Sequence, residues 1–298
     1  MLERLYPLGL LMTVVNDAVI VAAGLGSRML PTSAYLPKES LPLVDVPAFL
    51  HLIREAVRAE ITRIHIITSP SKDFSTFLES KEDYHQLKPE ISKTLFSLDE
   101  SIKFFVHTQH EPLGLGHAIL QSLGHIDGAY LVLLGDNIIT DKFSSIKKFE
   151  PSNASRELIS VFNKTGLPCA GVYSVSREEV SNYGVIELDG EKISQIIEKP
   201  NIDDAPSDKV LCGRYVFTSD SKDLLMTKFP VSQFGEFQTI ELQKYWMNGN
   251  GLIAVDLSEY QWYDSGNPLS WLKAQIDYGL RNPDYSNQLR HWLSRRLD

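Results

Sequence analysis

The sequence predicts an α/β fold built on a parallel sheet that is covered by helices on both faces. Short, continuously apolar segments such as 17–23 and 130–139 alternate with segments whose apolar residues recur every three or four positions. This alternation of buried strands and amphipathic helices is typical of parallel sheets with both faces covered. The second half of the chain carries more strand-like segments, so we expect one α/β domain whose later part is richer in strands.

The predicted elements follow from these patterns in chain order. Strands are predicted at 17–23, 63–69, 103–109, 130–139, 170–176, 183–188, 193–199 and 212–218. Helices are predicted at 49–60, 116–124, 238–248, 268–281 and 286–298. The helix at 49–60 has apolar residues at i, i+3, i+4 and i+7, and the basic end of the last helix suits its dipole.

Composition limits the classes of function. The chain has 298 residues, 43% of them hydrophobic, and a net charge of -9. This charge argues against a broad nucleic-acid or membrane surface, although a small anionic substrate needs only a few local cations. Cys169 and Cys212 lack a CxxC spacing, which favours two buried thiols in a reducing compartment.

The N-terminal segment is apolar but short. It is too short for a membrane span and lacks a basic leader. We therefore expect a cytoplasmic protein with an N-terminal extension over 1–16 and one domain over 17–298.

The segment after the first strand contains a glycine turn followed by two cations. In "AAGLGSRMLP" and "LPKESLP", Gly24 and Gly26 precede Arg28, and Lys38 lies between Pro37 and Glu39. Such a turn can bring backbone N–H groups close to a ligand. Met29 stands where a GxGxxG motif needs its last glycine, and there is no P-loop motif. The alternative for both cations is a solvated loop, but a lysine held between prolines favours a charge directed at a ligand.

A second glycine turn opens the helix predicted after the strand at 103–109. Gly114 and Gly116 in "EPLGLGHA" would present amides to a polar or anionic ligand group. Gln109, just before it, carries a donor and an acceptor that suit the edge of a base, although a surface glutamine is the alternative.

Charged residues also end several predicted strands. Asp136 follows the apolar strand "YLVLLG", Glu198 and Lys199 end "IIEK", and Asp264 precedes a turn in "WYDSG". Ligands gather at the carboxyl ends of strands in open α/β sheets, although a capping aspartate or an exposed ion pair is the alternative at each position. Two aspartates on separate loops, with lysines nearby, suit Mg²⁺ together with phosphates.

Together these motifs resemble the sugar-1-phosphate nucleotidylyltransferases, and among them the UTP–glucose-1-phosphate uridylyltransferases. The resemblance runs from about residue 18 to residue 274 and depends on the order and spacing of short motifs. Beyond the segments already quoted, the motifs are "NYGVIE", "DAPSD", "CGRYVF" and "GEFQTIE". The chain departs from the family pattern at Val21, Val46 and Glu241, among other positions.

The resemblance implies a Rossmann-like mixed, mostly parallel sheet between helices, with a smaller strand-rich part that binds sugar. It implies that UTP and glucose 1-phosphate react in one cleft with Mg²⁺, and that the protein is a homo-oligomer. Uracil and ribose would contact Ala22, Ala23, Gly24, Gly26, Gln109 and Gly114. Glucose would contact Gly184 and Glu198, the phosphates would contact the catalytic residues Arg28, Lys38 and Lys199, and the metal ligands would be Asp136 and Asp264.

Other functions remain open from the sequence. The base could be thymine, because Gln109 can pair with either imide edge, and the sugar could be another hexose 1-phosphate. A non-catalytic protein that binds a nucleotide sugar is the alternative outside enzymes. A nicotinamide-binding Rossmann protein is disfavoured because the third glycine is missing and an arginine follows.

Overall fold

A mixed sheet forms the centre of the protein. The computed structural model describes residues 14–141, 143 and 145–297, and the predictions made for residues 1–13 lie outside them. Within this range the strands are β1 Asp17–Val21, β2 Pro42–Leu43, β3 Val46–Pro47, β4 Arg63–Thr68, β5 Lys103–Thr108, β6 Tyr130–Leu134, β7 Asn137–Thr140, β8 Cys169–Ser174, β9 Gly184–Asp189, β10 Lys192–Glu198, β11 Lys209–Phe217, β12 Ile253–Asp256 and β13 Gln261–Asp264. Nine of these described strands form one sheet in the order β5-β4-β1-β6-β11-β8-β12-β10-β9.

The sheet is parallel in one half and largely antiparallel in the other. β5, β4, β1 and β6 are parallel neighbours, and β12 is parallel to β8. β11 is antiparallel to β6 and β8, and β10 is antiparallel to β12 and β9. The prediction of a mixed sheet is confirmed, whereas the prediction of a mostly parallel one is wrong. One reason is local: only Gly190 and Glu191 separate β9 from β10, and so short a connection allows only an antiparallel pair.

Helices cover both faces of this sheet. In the described part of the chain they are α1 Ala48–Arg58, α2 Glu82–Leu87, α3 Leu115–Leu120, α4 Ala154–Thr165, α5 Ser221–Asp223, α6 Val231–Phe234, α7 Gln238–Asn248, α8 Pro268–Arg281 and α9 Ser286–Leu297. Alternate residues of β1 point to opposite faces, as a strand requires. Ile20 packs with Phe49 of α1 and Leu158 of α4, whereas Val19 packs with Ile119 of α3 on the other face. No described helix is long and apolar enough to cross a membrane.

The apolar segment 130–139 forms two strands instead of the single strand predicted. Gly135 donates its N–H to the carbonyl of Val21 at 2.9 Å, and the chain then leaves the sheet. A Cβ at this position would lie 2.7 Å from the same oxygen, so only glycine permits the approach. After the break, β7 pairs with β13 in a separate two-stranded ribbon.

The order of the parallel strands creates a crevice at one edge. β1 lies between β4 and β6. The chain leaves the carboxyl ends of β1 and β6 by connections that diverge from each other. Ligands of open α/β sheets bind at such a switch point. The glycine turn follows β1, and Asp136 follows β6, so both lie at this crevice.

Candidate functional site

A cleft made of two adjoining cavities opens at the crevice. The larger cavity has a volume of about 490 Å³ and the smaller one about 290 Å³, and Gly114 and Asp136 are among the residues that line both. Of the residues predicted from the sequence, the larger cavity is lined by Arg28, Gly114, Asp136, Gly184, Glu198, Lys199 and Asp264. The smaller cavity is lined by Gly24, Lys38, Gln109, Gly114 and Asp136. The structure therefore brings residues from distant parts of the chain to one cleft.

The glycine turn contributes to the smaller cavity mainly through Gly24. Ala22 and Ala23 are buried and lie in the apolar core. The N–H of Ala22 donates to the carbonyl of Ile67 at 2.8 Å. Gly26, with φ of 65°, accepts a hydrogen bond from Ser33 Oγ at 2.8 Å. Ala22, Ala23 and Gly26 thus shape the turn and are not among the residues that line either cavity.

Lys38 lies at the floor of the cleft, in a 3-10 turn over Lys38–Ser40. Its Nζ donates to Asp136 Oδ2 at 2.5 Å. Burial disfavours the charged ammonium, but the carboxylates of Asp136, Glu39 and Asp264 more than offset this effect and raise the pKa of Lys38. The side chain therefore carries its positive charge at neutral pH.

A buried ion pair that the sequence analysis did not identify connects the glycine turn with the turn that carries Lys38. Lys72 Nζ donates to Glu39 Oε1 and Oε2 at 3.1 and 2.9 Å, and to the carbonyl of Ala22 at 2.8 Å. Both side chains are buried, at 5% and 1% exposure. Lys72 therefore ties the glycine turn to the loop that carries Lys38. No local pattern marks it, because its partners are distant in the sequence.

Asp136, just before β7, and Asp264, at the end of β13, lie at the same end of the two-stranded ribbon. In the antiparallel register Asp264 is opposite Asn137, and both N–H and Oγ of Ser265 donate to the carbonyl of Asp136, at 2.8 and 2.9 Å. Asp136 Oδ1 also accepts from Asn137 Nδ2 at 2.8 Å, and Asp264 Oδ1 accepts from the N–H of Gly266 at 2.7 Å. The ribbon thus fixes both carboxylates in the larger cavity, with Asp136 at its junction with the smaller one.

The two carboxylates titrate differently. Burial tends to raise the pKa of Asp136, but Lys38 and Arg28 outweigh it, so that the pKa is lowered. Burial and the neighbouring charge of Asp136 raise the pKa of Asp264, which Arg28 and Lys38 offset only in part. Two carboxylates that repel each other are a suitable donor set for a divalent cation. Among the described residues, no three His, Cys, Asp or Glu side chains are grouped so that they could hold a metal ion. Such a cation would therefore also need substrate or water oxygens, as Mg²⁺ usually does.

Glu198 and Lys199 both line the larger cavity because the chain bends at the end of β10. Adjacent residues of a straight strand face opposite sides. Lys199 has φ of 46°, and its N–H donates to the carbonyl of Tyr183 at 2.9 Å, which ends the strand pairing. The Lys199 ammonium is 3.7 Å from Glu198 Oε1. Gly184 is opposite Glu198 in β9, and a Cβ there would lie 3.0 Å from Glu198 Oε2.

Position 114, at the start of α3, can be occupied only by glycine. Its φ is 95°, and a Cβ would lie 2.4 Å from Glu236 Cα. This contact brings the segment 235–237 against the helix start and closes one side of the larger cavity. Gln109 is buried beside it, and its Nε2 donates to the carbonyl of Gly114 at 3.1 Å and lies 2.9 Å from His117 Nδ1.

Arg28 lies at the exposed edge of the larger cavity. Its guanidinium is close to the turn after Asp264, because a Cβ on Gly266 would lie 3.0 Å from Arg28 Nη2. Arg28 therefore borders the aspartate pair on the side open to solvent.

Several further residues of the larger cavity were missed by the sequence analysis. Trp262 Nε1 donates to Asn137 Oδ1 at 2.7 Å, and Tyr183 donates its hydroxyl to Asp264 Oδ2 at 3.4 Å. Gln243 of α7 lines the cavity, is only 1% exposed, and has a buried Oε1 without a hydrogen-bond partner in the described chain. Trp262 is the first residue of the "WYDSG" segment and could have been found from it, whereas a glutamine in an amphipathic helix carries no local signal.

Matches to known proteins extend over nearly the whole chain. Residues 17–279 match a family model described as Nucleotidyl transferase. A UTP–glucose-1-phosphate uridylyltransferase of Bacillus subtilis strain 168 is 34% identical over 291 residues, which cover 94% of this chain and 94% of that protein. UTP–glucose-1-phosphate uridylyltransferase 1 of Streptococcus pyogenes serotype M3 is 31% identical over 296 residues, which cover 95% and 94%.

Solved structures give the same result. A UDP-glucose pyrophosphorylase from Acinetobacter baumannii is similar with a TM-score of 0.74 and 28% identity, over 95% of this chain and 99% of that one. A UDP-glucose pyrophosphorylase complexed with UDP-glucose is similar with a TM-score of 0.73 and 28% identity, over 89% and 98%. The fold and the sequence therefore match the same group of proteins.

Proposed function

Because this chain belongs to the nucleotidyl transferase family, we propose that its cleft makes UDP-glucose and pyrophosphate from UTP and glucose 1-phosphate. The names of the relatives at 31% and 34% identity support this activity. The observation that carries it is the continuity of the cleft: both cavities meet at Asp136, between one group of residues suited to a nucleotide and another suited to a sugar phosphate.

The smaller cavity is the proposed nucleotide site. Gln109 and Gly114 would hold the uracil, and Gly24 would let the nucleotide approach the backbone. Ala22, Ala23 and Gly26 contribute by fixing the turn from behind. Lys38, at the base of this cavity, would meet the phosphates.

The larger cavity is the proposed sugar-phosphate site. Glu198 would accept hydrogen bonds from glucose hydroxyls, and Gly184 leaves room for the sugar beside that carboxylate. Lys199, with its side chain 64% exposed, is free to reach the phosphate of glucose 1-phosphate. Gln243 offers a buried oxygen to a further hydroxyl donor.

The proposed reaction needs positioning and charge neutralisation and no general base. The phosphate of glucose 1-phosphate is already an anion, and it attacks the α-phosphorus of UTP while pyrophosphate leaves on the opposite side. The obstacle is the repulsion between two polyanions that must meet in line. Lys199 orients the attacking phosphate, whereas Arg28 and Lys38 offset charge on the departing pyrophosphate.

Asp136 and Asp264 are the proposed Mg²⁺ ligands. Their paired carboxylates and the raised pKa of Asp264, which burial and the charge of Asp136 cause, fit a bound divalent cation. Mg²⁺ would supply positive charge shared between the phosphates. The pairing of Lys38 with Asp136 keeps that carboxylate ionised and therefore able to act as a ligand.

The test is pyrophosphate release from the purified protein with glucose 1-phosphate and Mg²⁺, measured separately with UTP, dTTP, ATP, CTP and GTP. Release that is fastest with UTP is the expected result. Fastest release with dTTP would keep the mechanism but change the nucleotide. Absence of release with every nucleotide and with other hexose 1-phosphates, together with measurable binding of UTP, would overturn the proposal in favour of a non-catalytic binding protein.

We also propose that the protein is a homo-oligomer. α8 carries Leu269, Leu272 and Ile276 on its exposed side, and Trp292 of α9 is 52% exposed. Apolar side chains at this spacing suit a helix–helix contact. Light scattering should give a mass above the 33.6 kDa of one chain, and a monomer at micromolar concentration would exclude the proposal.

A further inference from the structure

A third cavity lies apart from the cleft, between α1 and the segment 76–98. Its volume is about 470 Å³, and it shares no lining residue with either cavity of the cleft. Most of its wall is apolar, and the side chains are those of Pro47, Leu50, Phe77, Tyr84, Leu95, Phe96 and Leu98. Ligand cavities of about 300–1,000 Å³ with apolar walls and a few polar groups are typical of small-molecule sites.

Arg54 is the unusual residue of this cavity. It lines the cavity but is only 7% exposed. Its Nη2 donates to the carbonyl of Ser97 at 2.7 Å, whereas its buried Nε has no hydrogen-bond partner within the described chain. Burial lowers the pKa of Arg54 to about 10, and no carboxylate among the described residues opposes this shift, so within that part of the chain the charged side chain lacks an acidic partner.

The neighbouring residue shows what a satisfied buried arginine looks like in this protein. Glu55 pairs with the fully buried Arg214, which donates Nε and Nη2 to the two carboxylate oxygens at 2.8 and 2.9 Å. A buried charge is costly unless it is paired. Arg214 meets this requirement within the chain, whereas Arg54 has a carbonyl and an open apolar cavity.

We propose that this cavity binds a small amphipathic anion, with its carboxylate against Arg54 and its apolar body against Phe77, Phe96 and Leu98. One buried positive charge favours a monoanion, and the apolar wall favours an aliphatic or aromatic body. The charged residues at the rim, Glu79 and Lys81, pair with each other at 2.7 Å and leave the charge of Arg54 uncompensated. The site differs in chemistry from the cleft, which is lined by charged residues and glycines.

Isothermal titration calorimetry of the full-length protein with octanoate and with 1-octanol tests the proposal. The two probes share a chain length and differ in charge. Octanoate should bind at least about tenfold more tightly than 1-octanol, as expected from a hydrogen bond to a charged group. Equal affinities, or an absence of octanoate binding, would overturn the proposal.

Three controls locate the site. Arg54→Met should reduce the affinity for octanoate about tenfold and leave 1-octanol binding nearly unchanged. Arg58→Met makes the same change on an exposed position of the same helix and should have no effect. Saturating UTP should leave octanoate binding intact, and competition by UTP would mean that octanoate binds in the cleft, contrary to the proposal.

Thr76→Trp gives an independent test if Arg54→Met does not fold. Thr76 is exposed at the mouth of the cavity, so a tryptophan there can obstruct it without removing the charge. This variant should lose both octanoate and 1-octanol binding. Retention of octanoate binding at the original affinity would overturn the proposal.

Discussion

Lys38 lies where three carboxylates converge, which explains how a buried lysine keeps its charge. Glu39, Asp136 and Asp264 all raise the pKa of Lys38 against the opposing effect of burial. A lysine in apolar surroundings would lose its proton instead. Asp136, which accepts a hydrogen bond from the ammonium, holds it at the junction of the two cavities, where the phosphates of two substrates would meet.

The first prediction concerns this charge. Lys38→Ala should lower turnover by about 10²–10³-fold, the usual effect of removing one electrostatic stabiliser, because Lys38 is one of the two cations proposed to offset the charge of pyrophosphate. Pyrophosphate release at saturating substrates measures the effect, and circular dichroism checks the fold. Lys103→Ala, an exposed lysine on β5, is the control. Near-normal turnover of Lys38→Ala would remove Lys38 from the mechanism.

The second prediction concerns sugar binding by Glu198. Glu198→Gln should raise the KM for glucose 1-phosphate by about 10–100-fold, because hydrogen bonds to a carboxylate are stronger than those to an amide. The KM for UTP should stay nearly constant, since Glu198 lines only the larger cavity. Glu187→Gln on the exposed side of β9 is the matched control. An equal rise in both KM values would show that the change disturbs the whole cleft.

Sequence motifs predicted the residues whose position depends on a local bend or turn. Glu198 and Lys199 end a predicted strand, and Lys199 reaches the same cavity as Glu198 because its φ of 46° bends the chain. Lys72 and Gln243 could not be predicted, because their roles depend on contacts across different elements. The assignments of individual residues to substrate and metal remain predictions.

Among the elements, the glycine turn and the turn over Lys38–Ser40 lie in the same connection from β1 to β2, and they act as one unit because Lys72 bonds to both. Its hydrogen bonds reach Ala22 and Glu39, and burial lowers the pKa of Lys72 although Glu39 opposes the shift. The two side chains of the ion pair are almost completely buried, so each depends on the other to balance its charge.

The third prediction follows from that dependence. Lys72→Met should lower the free energy of unfolding by about 3–5 kcal/mol, because it leaves Glu39 buried without a partner. Urea denaturation measures the change. Lys81→Met breaks the exposed Lys81–Glu79 pair at 2.7 Å and should cost at most about 1 kcal/mol. A double variant, Lys72→Met with Glu39→Gln, should recover part of the loss. If Lys72→Met were as stable as the control Lys81→Met, the prediction would be contradicted.

Element prediction succeeded where periodicity is strong and failed where pairing is decided at long range. The helices at 238–248 and 268–281 were placed correctly because their apolar spacing is regular. The segment 130–139 was expected to be one strand, since its apolar run hides the break at Gly135 that contact with Val21 requires. The direction of β11 is not encoded by its own residues. The sequence analysis therefore expected a mostly parallel sheet, whereas β11 is antiparallel to both of its neighbours β6 and β8.

For the whole molecule, the order and spacing of short motifs were more informative than any single motif. The predicted family is confirmed by the match over residues 17–279. The cleft could be predicted because the family motifs follow strands that end at one edge. The cavity beside Arg54 could not, because segment 76–98 and α1 carry no motif and meet only in the folded chain.

The last prediction concerns the stability of the whole molecule at acid pH. His51 of α1 is buried against the rings of Phe149 and Tyr278, and burial lowers its pKa from 6.5 to about 4. Between these values the unfolded chain takes up a proton that the folded protein does not. The contribution of His51 to stability is therefore intact above pH 6.5 and declines as the pH falls toward 4.

His51→Leu should remove this dependence, because leucine fills the site without a titrating group. Each protein loses some free energy of unfolding between pH 7.5 and pH 4. This loss should be smaller in the variant than in the parent by up to about 3 kcal/mol. Urea denaturation across this pH range measures the difference, and carboxylates common to both proteins cancel. Parallel pH profiles would contradict the prediction, because they would show that the pKa of His51 in the folded protein is not lowered relative to the unfolded chain.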